Sequence, residues 1–359
     1  MSSRPTFITD MSLKQVEELM ESFGEPTWRT KPLLAWVYKK RAASFDAMSD
    51  LPKTLRKKLL DNISFSSVTE MKLQESHDGT LKALLELWDG RSIEAALIPS
   101  SSGQFTVCVS SQVGCAIGCP FCASGRYGYE RNLGVSEICD QVLYFARRLK
   151  PDENVGNIVF MGTGEPLINY LDVLQAAEHL NASWGFGLGA RNITISTAGY
   201  VPGIDKLSRE KLQLGLAVSL HAADNTLRNK LVPLNRKYPL DKLIPTCDAY
   251  AKSSGRRVTF EYSLFAGIND SLEQAQQLAQ LVRGINCHIN LIAANATEKR
   301  IWQAPTPEVV AAFEAELRRL RITVTIRRSF GNDIMAACGQ LKTKFDKKFD
   351  AACGIGDKK

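Results

Sequence analysis

Histidine is scarce in this chain. His77, His179, His221 and His288 are all it has among 359 residues, and none lies beside its densest group of cysteines. A second Cys-x2-Cys pair is missing as well, which counts against a zinc site built from paired cysteines or Cys/His mixtures. No apolar run is long enough to span a bilayer. The opening Met-Ser-Ser-Arg-Pro-Thr-Phe lacks the apolar core of an export signal. The expectation is therefore a cytoplasmic protein with no membrane partner, whose nine cysteines are reduced thiols or metal ligands rather than a disulfide framework. Repeats and low-complexity tracts are absent too, which excludes a solenoid.

Three of those cysteines fall within eight residues, as Cys115-Ala-Ile-Gly-Cys119-Pro-Phe-Cys122. Thiolate is the ligand that iron–sulfur clusters take, and three close thiolates can hold three corners of a 4Fe–4S cubane. The fourth iron is left open to bind a substrate. Zinc and packed core thiols are the weaker readings of the same run.

The formal charge of +7 is modest, but its distribution is uneven. Arg29, Lys31, Lys39, Lys40, Arg41, Lys53, Arg56, Lys57 and Lys58 crowd one early region, and Arg318, Arg319, Arg321, Arg327 and Arg328 another near the end. Such groups fit a nucleic-acid backbone; on charge alone, solvated helix faces explain them as well.

Apolar spacing predicts helices over Met11–Phe23, with Asp10 as N-cap, and over Trp28–Lys40 and Lys53–Ile63. Two strands, Leu81–Trp88 and Ser92–Ile98, then meet at Asp89-Gly90, a pair suited to a type I′ hairpin. From Phe105 onward, strands alternate with helices, which predicts a parallel sheet of about six β/α units in a partial or full barrel. The expected division is a helical accessory domain at 1–65, a β-hairpin linker at 66–100, a main α/β domain at 101–341 and a fraying tail at 342–359.

A barrel places its chemistry at the C-terminal ends of its strands. There stand the cysteine run after Phe105–Ser110, Gly162-Thr163-Gly164-Glu165-Pro166 after the second strand, Ser196 after the third, Ser219-Leu220-His221 after the fourth, and Asn295 after the strand Ile289–Ile292. A carboxylate such as Glu165 can bind an ammonium group. Singly, each reads as a turn or cap residue; together on one rim they read as ligand contacts. Late in the chain, Cys338 lies among small residues, equally a structural thiol or an accessible one.

The cysteine spacing resembles that of radical S-adenosylmethionine (SAM) enzymes. More narrowly, Val107 to Cys115, Met161 to Leu167, Ser219-Leu220-His221 and Ala336-Ala337-Cys338-Gly339-Gln340-Leu341 together resemble the RlmN/Cfr family of RNA adenosine methyltransferases, from the N-terminal helices to about Leu341. The resemblance implies a partial (β/α)6 radical SAM barrel. It also implies a 4Fe–4S cluster on Cys115, Cys119 and Cys122, with SAM held by Gly164, Glu165, Ser196, Ser219, Leu220, His221 and Asn295. Two SAM molecules serve each turnover. One methylates Cys338; the other gives a 5′-deoxyadenosyl radical that takes hydrogen from that methyl group. The methylene then joins adenine, Glu94 removes the ring proton, and Cys108 releases the product through a transient disulfide with Cys338. Without the resemblance Glu94 reads as a surface strand carboxylate.

The implied substrates are an adenosine of 23S rRNA at the peptidyl-transferase centre and the adenosine beside the anticodon of tRNAs, with flavodoxin or ferredoxin as electron donor. Pro166 leans towards the RlmN side and carbon 2; a Cfr-type enzyme would methylate carbon 8 and confer antibiotic resistance. Two positions depart from the family pattern: Thr163, where Met is frequent, and Ala293-Ala294-Asn295-Ala296, where a Pro-Trp-Asn-Pro-like run is usual. An RNA-binding or electron-transfer protein with a vestigial cluster would need neither Cys108, Cys338 nor Glu94.

Overall fold

The computed structural model describes residues 4–100, 103–126, 128–295 and 302–341. Three short helices come first: α1 (Leu13–Ser22), α2 (Thr30–Tyr38) and α3 (Lys53–Asn62). The N-cap of α1 is Ser12, not the expected Asp10; Ser12 and Gln15 exchange side-chain and backbone hydrogen bonds in a capping box. Asp10 instead accepts from the Ser136 N–H at 2.9 Å and from Arg4 at 3.0 Å. Val16, Met20, Leu33, Phe45, Leu55 and Leu59 form a core of their own, which Leu143 joins from the main body.

Three antiparallel strands follow: β1 (Val68–Glu75), β2 (Leu81–Leu87) and β3 (Ser92–Pro99). The turn between β2 and β3 differs from the expected type I′. Leu87 N–H bonds to Arg91 O and Gly90 N–H to Leu87 O, and Gly90 has φ +77° while Asp89 keeps negative φ. That is a three-residue loop with Gly in the left-handed position. β1 was not expected. It is an edge strand with mostly exposed polar residues, so it carries little apolar signal.

The rest is β4 (Phe105–Cys108), β5 (Gln112–Gly114), β6 (Tyr129–Asn132), α4 (Val135–Ala146), β7 (Val155–Phe160), α5 (Tyr170–Asn181), β8 (Ile193–Thr197), α6 (Val201–Leu207), β9 (Gly215–Ser219), α7 (Asn225–Leu231), α8 (Leu240–Ser254), β10 (Val258–Leu264), α9 (Leu272–Leu281), β11 (Cys287–Ala293), α10 (Pro307–Arg319) and β12 (Val324–Ile326). The strands order as β1-β2-β3-β4-β7-β8-β9-β10-β11-β12, parallel from β4 onward. This is the α/β, partial-barrel architecture expected. The ladder is open, and residues 327–341 return from β12 to the β1–β3 hairpin. Asp333 accepts from the Ser76 hydroxyl at 2.5 Å, Asp78 from the Gly331 N–H at 2.8 Å, and the Met335 carbonyl from Lys82 at 3.3 Å. The expected tail at 342–359, with Cys353, lies outside the described residues.

Candidate active site

The cysteine loop leaves the sheet after β4 and is closed at its base by the short β5–β6 ladder, with Cys115 N–H donating to Gly128 O at 2.8 Å. Cys115, Cys119 and Cys122 line one cavity of about 140 Å³ together with Gly164, Glu165, Ser196, Ser219, His221, Asn295 and Cys338. Nearly the whole expected ligand set thus meets on one rim. Leu220 is the exception: it does not line the cavity, its side chain is fully buried, its N–H donates to Glu261 O at 2.9 Å and its carbonyl accepts from Arg228 at 3.1 Å.

Gly164 is where glycine is required: φ is +110°, and a Cβ would stand 2.7 Å from Gln112. Glu165 is buried and accepts from the backbone N–H of Ala198 at 2.6 Å and Leu167 at 3.2 Å. Burial raises its carboxyl to about 7. His221 has φ +58°, and its Nδ1 accepts from the Ser263 N–H at 3.0 Å, leaving Nε2 as the donor nitrogen. Burial, then the nearby Arg228, lowers its imidazole to about 3, so it is neutral at physiological pH. The Phe121 ring, just before the third cysteine, packs edge-on against His221 at 5.0 Å.

The donor set suits an iron–sulfur cluster. Burial pushes the Cys115 thiol up to about 12 and Cys119 well above its usual range, with the neighbouring thiols adding to both. Such thiols ionise when a metal takes the sulfur. Among the described residues no three His, Cys, Asp or Glu side chains converge as ligands of a single ion would. Thiolates on different corners of a cubane do not need to converge.

Cys338 belongs to two cavities. The second, of about 430 Å³, is lined by Cys108, Met161, Arg327, Arg328, Ala337 and Cys338 among others. The loop carrying Cys338 is clamped to the cysteine loop, through Gly339 O with Ala123 N–H at 2.8 Å and Leu341 O with the Ser124 hydroxyl at 2.7 Å, and to Asn295, which donates to Cys338 O at 3.1 Å. Cys108 and Cys338 are both free thiols. The disulfide implied by resemblance is therefore not a bond of this resting fold.

Glu94 is buried, not a surface carboxylate, and pairs with buried Lys82 at 3.2 Å. It lines neither cavity. It lies two residues from Ala96, the rung partner of Cys108, so the two side chains share a sheet face.

Three residues of the site were missed in the sequence. Arg228, fully buried on α7, donates to Leu220 O, Ser219 O, Ala198 O and Asn235 Oδ1. Asp224, which caps α7 through the Leu227 N–H at 2.8 Å, was the available signal for that helix. Glu261, a lone carboxylate in an otherwise buried strand, lines the first cavity, and Arg327 the second.

The radical SAM superfamily model matches residues 109–279, and a model described as the ribosomal RNA large subunit methyltransferase N-terminal domain matches residues 7–64. The chain is 44% identical, over 94% of its length and 93% of theirs, to proteins described as probable dual-specificity RNA methyltransferase RlmN from Staphylococcus carnosus and Staphylococcus haemolyticus. A crystal structure of a radical SAM methyltransferase from Sphaerobacter thermophilus superposes with a TM-score of 0.91 at 45% identity, covering 94% of this chain and 99% of that one.

Proposed function

The chain belongs to the RlmN family of radical SAM RNA methyltransferases, which implies a 4Fe–4S cluster and SAM, and we propose that it methylates carbon 2 of an adenosine through a methyl group carried on Cys338. The observation that carries this reading is the position of Cys338 between two cavities, one lined by the cysteine loop and Glu165 and the other by Cys108. The proposed substrates are 23S rRNA and, following the dual specificity named for the relatives, tRNA. Carbon 2 is preferred over carbon 8 because of Pro166.

Cys115, Cys119 and Cys122 would hold the cluster. Gly164, Glu165, Ser196, Ser219, His221, Asn295 and the Leu220 backbone would hold SAM. Bound there, the two supply one-electron chemistry that breaks a C–H bond out of reach of polar catalysis. Glu165, ionised against the ammonium of SAM, orients the methionine end. Cys338 carries the one-carbon unit to the adenine ring, and Glu94, paired with Lys82, takes the ring proton. The Cys108 thiolate then attacks the Cys338 sulfur. An S–S bond forms, the Cys338 S–C bond breaks, and its electron pair stays with the transferred carbon, which takes up a proton. An external thiol reduces the disulfide. Flavodoxin or ferredoxin is the proposed electron source, and residues 1–65 the proposed RNA-binding accessory domain.

The test is denaturing electrophoresis with labelled RNA, SAM and reductant. Cys108→Ala should methylate Cys338, attack adenine and stall as a covalent complex that nuclease removes. Cys338→Ala should give no methyl transfer and no complex. A complex trapped by Cys338→Ala, or full turnover by Cys108→Ala, overturns the assignment. Mass spectrometry of the digested RNA separates 2-methyl- from 8-methyladenosine.

A further inference from the structure

A thiol that must act as a nucleophile is badly placed at Cys108. It is 7% exposed and packs against Ala96, Leu341, Ile98, Val159 and Met161. Burial, then the facing Cys338, pushes it up to about 12 even though Arg327 draws it down, so the thiolate is a very small fraction at neutral pH. A cation has to offset that. On the β2–β3 side stands Lys82, but its ammonium is committed to Glu94 at 3.2 Å and to the Met335 carbonyl at 3.3 Å. From the returning segment Cys338 faces Cys108. At the end of β12 Arg327 and Arg328 line the cavity shared with Cys108. From β10, Glu261 reaches Arg327.

Arg327 alone of these cations is fixed against the wall of Cys108. Its backbone N–H donates to Leu291 O at 2.8 Å, which extends the β12 ladder and holds it at the strand end. Its Nη1 stands 3.5 Å from the sulfur of Met161, a neighbour of Cys108, and 3.7 Å from Glu261 Oε2. Neither contact uses up its charge: a thioether carries none, and the Glu261 ion pair, which offsets part of it, is too long for a hydrogen bond, so Glu261 Oε2 is left without one. A guanidinium keeps its charge throughout the working pH range. We propose that Arg327 is a positioning residue that stabilises the Cys108 thiolate, with Glu261 restraining it. This rests on Cys108 acting as a nucleophile, as above.

The test is iodoacetamide alkylation of Cys108 in the anaerobic holoprotein, followed by peptide mass spectrometry across pH, with Cys287 as an internal reference. Arg327→Gln should slow Cys108 alkylation about tenfold relative to Cys287 at about pH 7 to 9. Arg327→Lys should restore most of the rate. Glu261→Gln should act in the opposite direction, giving a faster reaction. An unchanged Cys108 rate in Arg327→Gln, or an equal loss in Arg327→Gln and Arg327→Lys, overturns the proposal, because access rather than charge would then be controlling. The covalent complex trapped by Cys108→Ala reads the nucleophile's role separately. That complex together with an unchanged rate rejects Arg327 alone. A slowed rate without the complex rejects the release step and leaves the ionic support standing.

Discussion

Replacing Arg228 by leucine removes a buried cation that has no carboxylate partner among the described residues. The β8–β9 ladder ends at Thr197–Val218 and the β9–β10 ladder at Ser219–Glu261. The carbonyls of Ala198, Ser219 and Leu220 stand at or beyond those last rungs, and the guanidinium satisfies all three, with Asn235 as the fourth acceptor. A hydrogen bond to a charged group is worth about 1.5–3 kcal/mol, so four amount to roughly 6–12 kcal/mol gross. Burying the cation costs several kcal/mol of that. Arg228→Leu should therefore destabilise by about 3–5 kcal/mol, the usual cost of breaking a buried charged network. Arg228→Lys should fall between, since three ammonium protons cannot serve four spread acceptors. Ala198 and Ser219 line the cavity, and the Ala198 N–H holds Glu165, so SAM affinity should fall in parallel. Urea unfolding at constant m-value and equilibrium dialysis with SAM measure the two effects. An Arg228→Leu protein within about 1 kcal/mol of the parent, with unchanged SAM affinity, would refute the reasoning.

Substituting Cys115, Cys119 or Cys122 by Ala should abolish both the 4Fe–4S absorbance and SAM cleavage after anaerobic reconstitution; zinc at unit stoichiometry without iron would reject the cluster. Asp140 accepts from Ser67 N–H and hydroxyl, both at 2.7 Å, and from Thr9 at 3.0 Å, tying the first residues to α4, and burial raises it from 3.8 to about 6. A raised acid binds more protons folded than unfolded, so its contribution is full below about 4 and is lost as pH rises to about 6; Asp140→Asn should flatten a stability slope totalling about 3 kcal/mol over that window, and an identical slope in the variant would reject the assignment. Lys31, Lys39, Lys53 and Lys57 are exposed on the helical region; reversing three of them should lower RNA affinity and reduce the slope of log affinity against log salt by about one for each phosphate no longer neutralised, while an unchanged slope would locate RNA binding elsewhere.

The charge pattern was the least legible part of the sequence, because counting cations ignores their partners. Arg29 pairs with Glu25, Arg318 with Glu314 and Arg319 with Glu316, while Arg41 is spent on the Ala146 carbonyl and Asn154. Arg327, read as part of a surface group, lines a cavity. By contrast, the alternation of strands and helices was legible because the central parallel strands, such as β9, β10 and β11, are largely buried on both faces and stand out as apolar runs. What escaped were elements too short or too polar for that signal: β1, the β5–β6 clasp and α7.

The site divides in the same way. Residues adjacent to a strand end were legible, since topology alone sends every such end to one rim. That brought Glu165, Ser196, Ser219, His221 and Asn295 together with the cysteine loop. Residues that act from within a strand or from behind the rim were not. Glu261 and Arg228 carry no motif signal, and their importance comes from burial, Arg228 with carbonyl and amide acceptors in place of a carboxylate and Glu261 with one oxygen left without a hydrogen bond, which only the folded chain reveals. Cys338 is the intermediate case. Its motif marked it as chemical, but nothing in the spacing foretold the contacts to Ala123, Ser124 and Asn295 that hold its loop between the two cavities. The carrier role proposed for Cys338 asks one thiol to reach both the place where it is loaded and the place where it is discharged, and a loop clamped through its backbone with the thiol left exposed between two cavities is compatible with that demand.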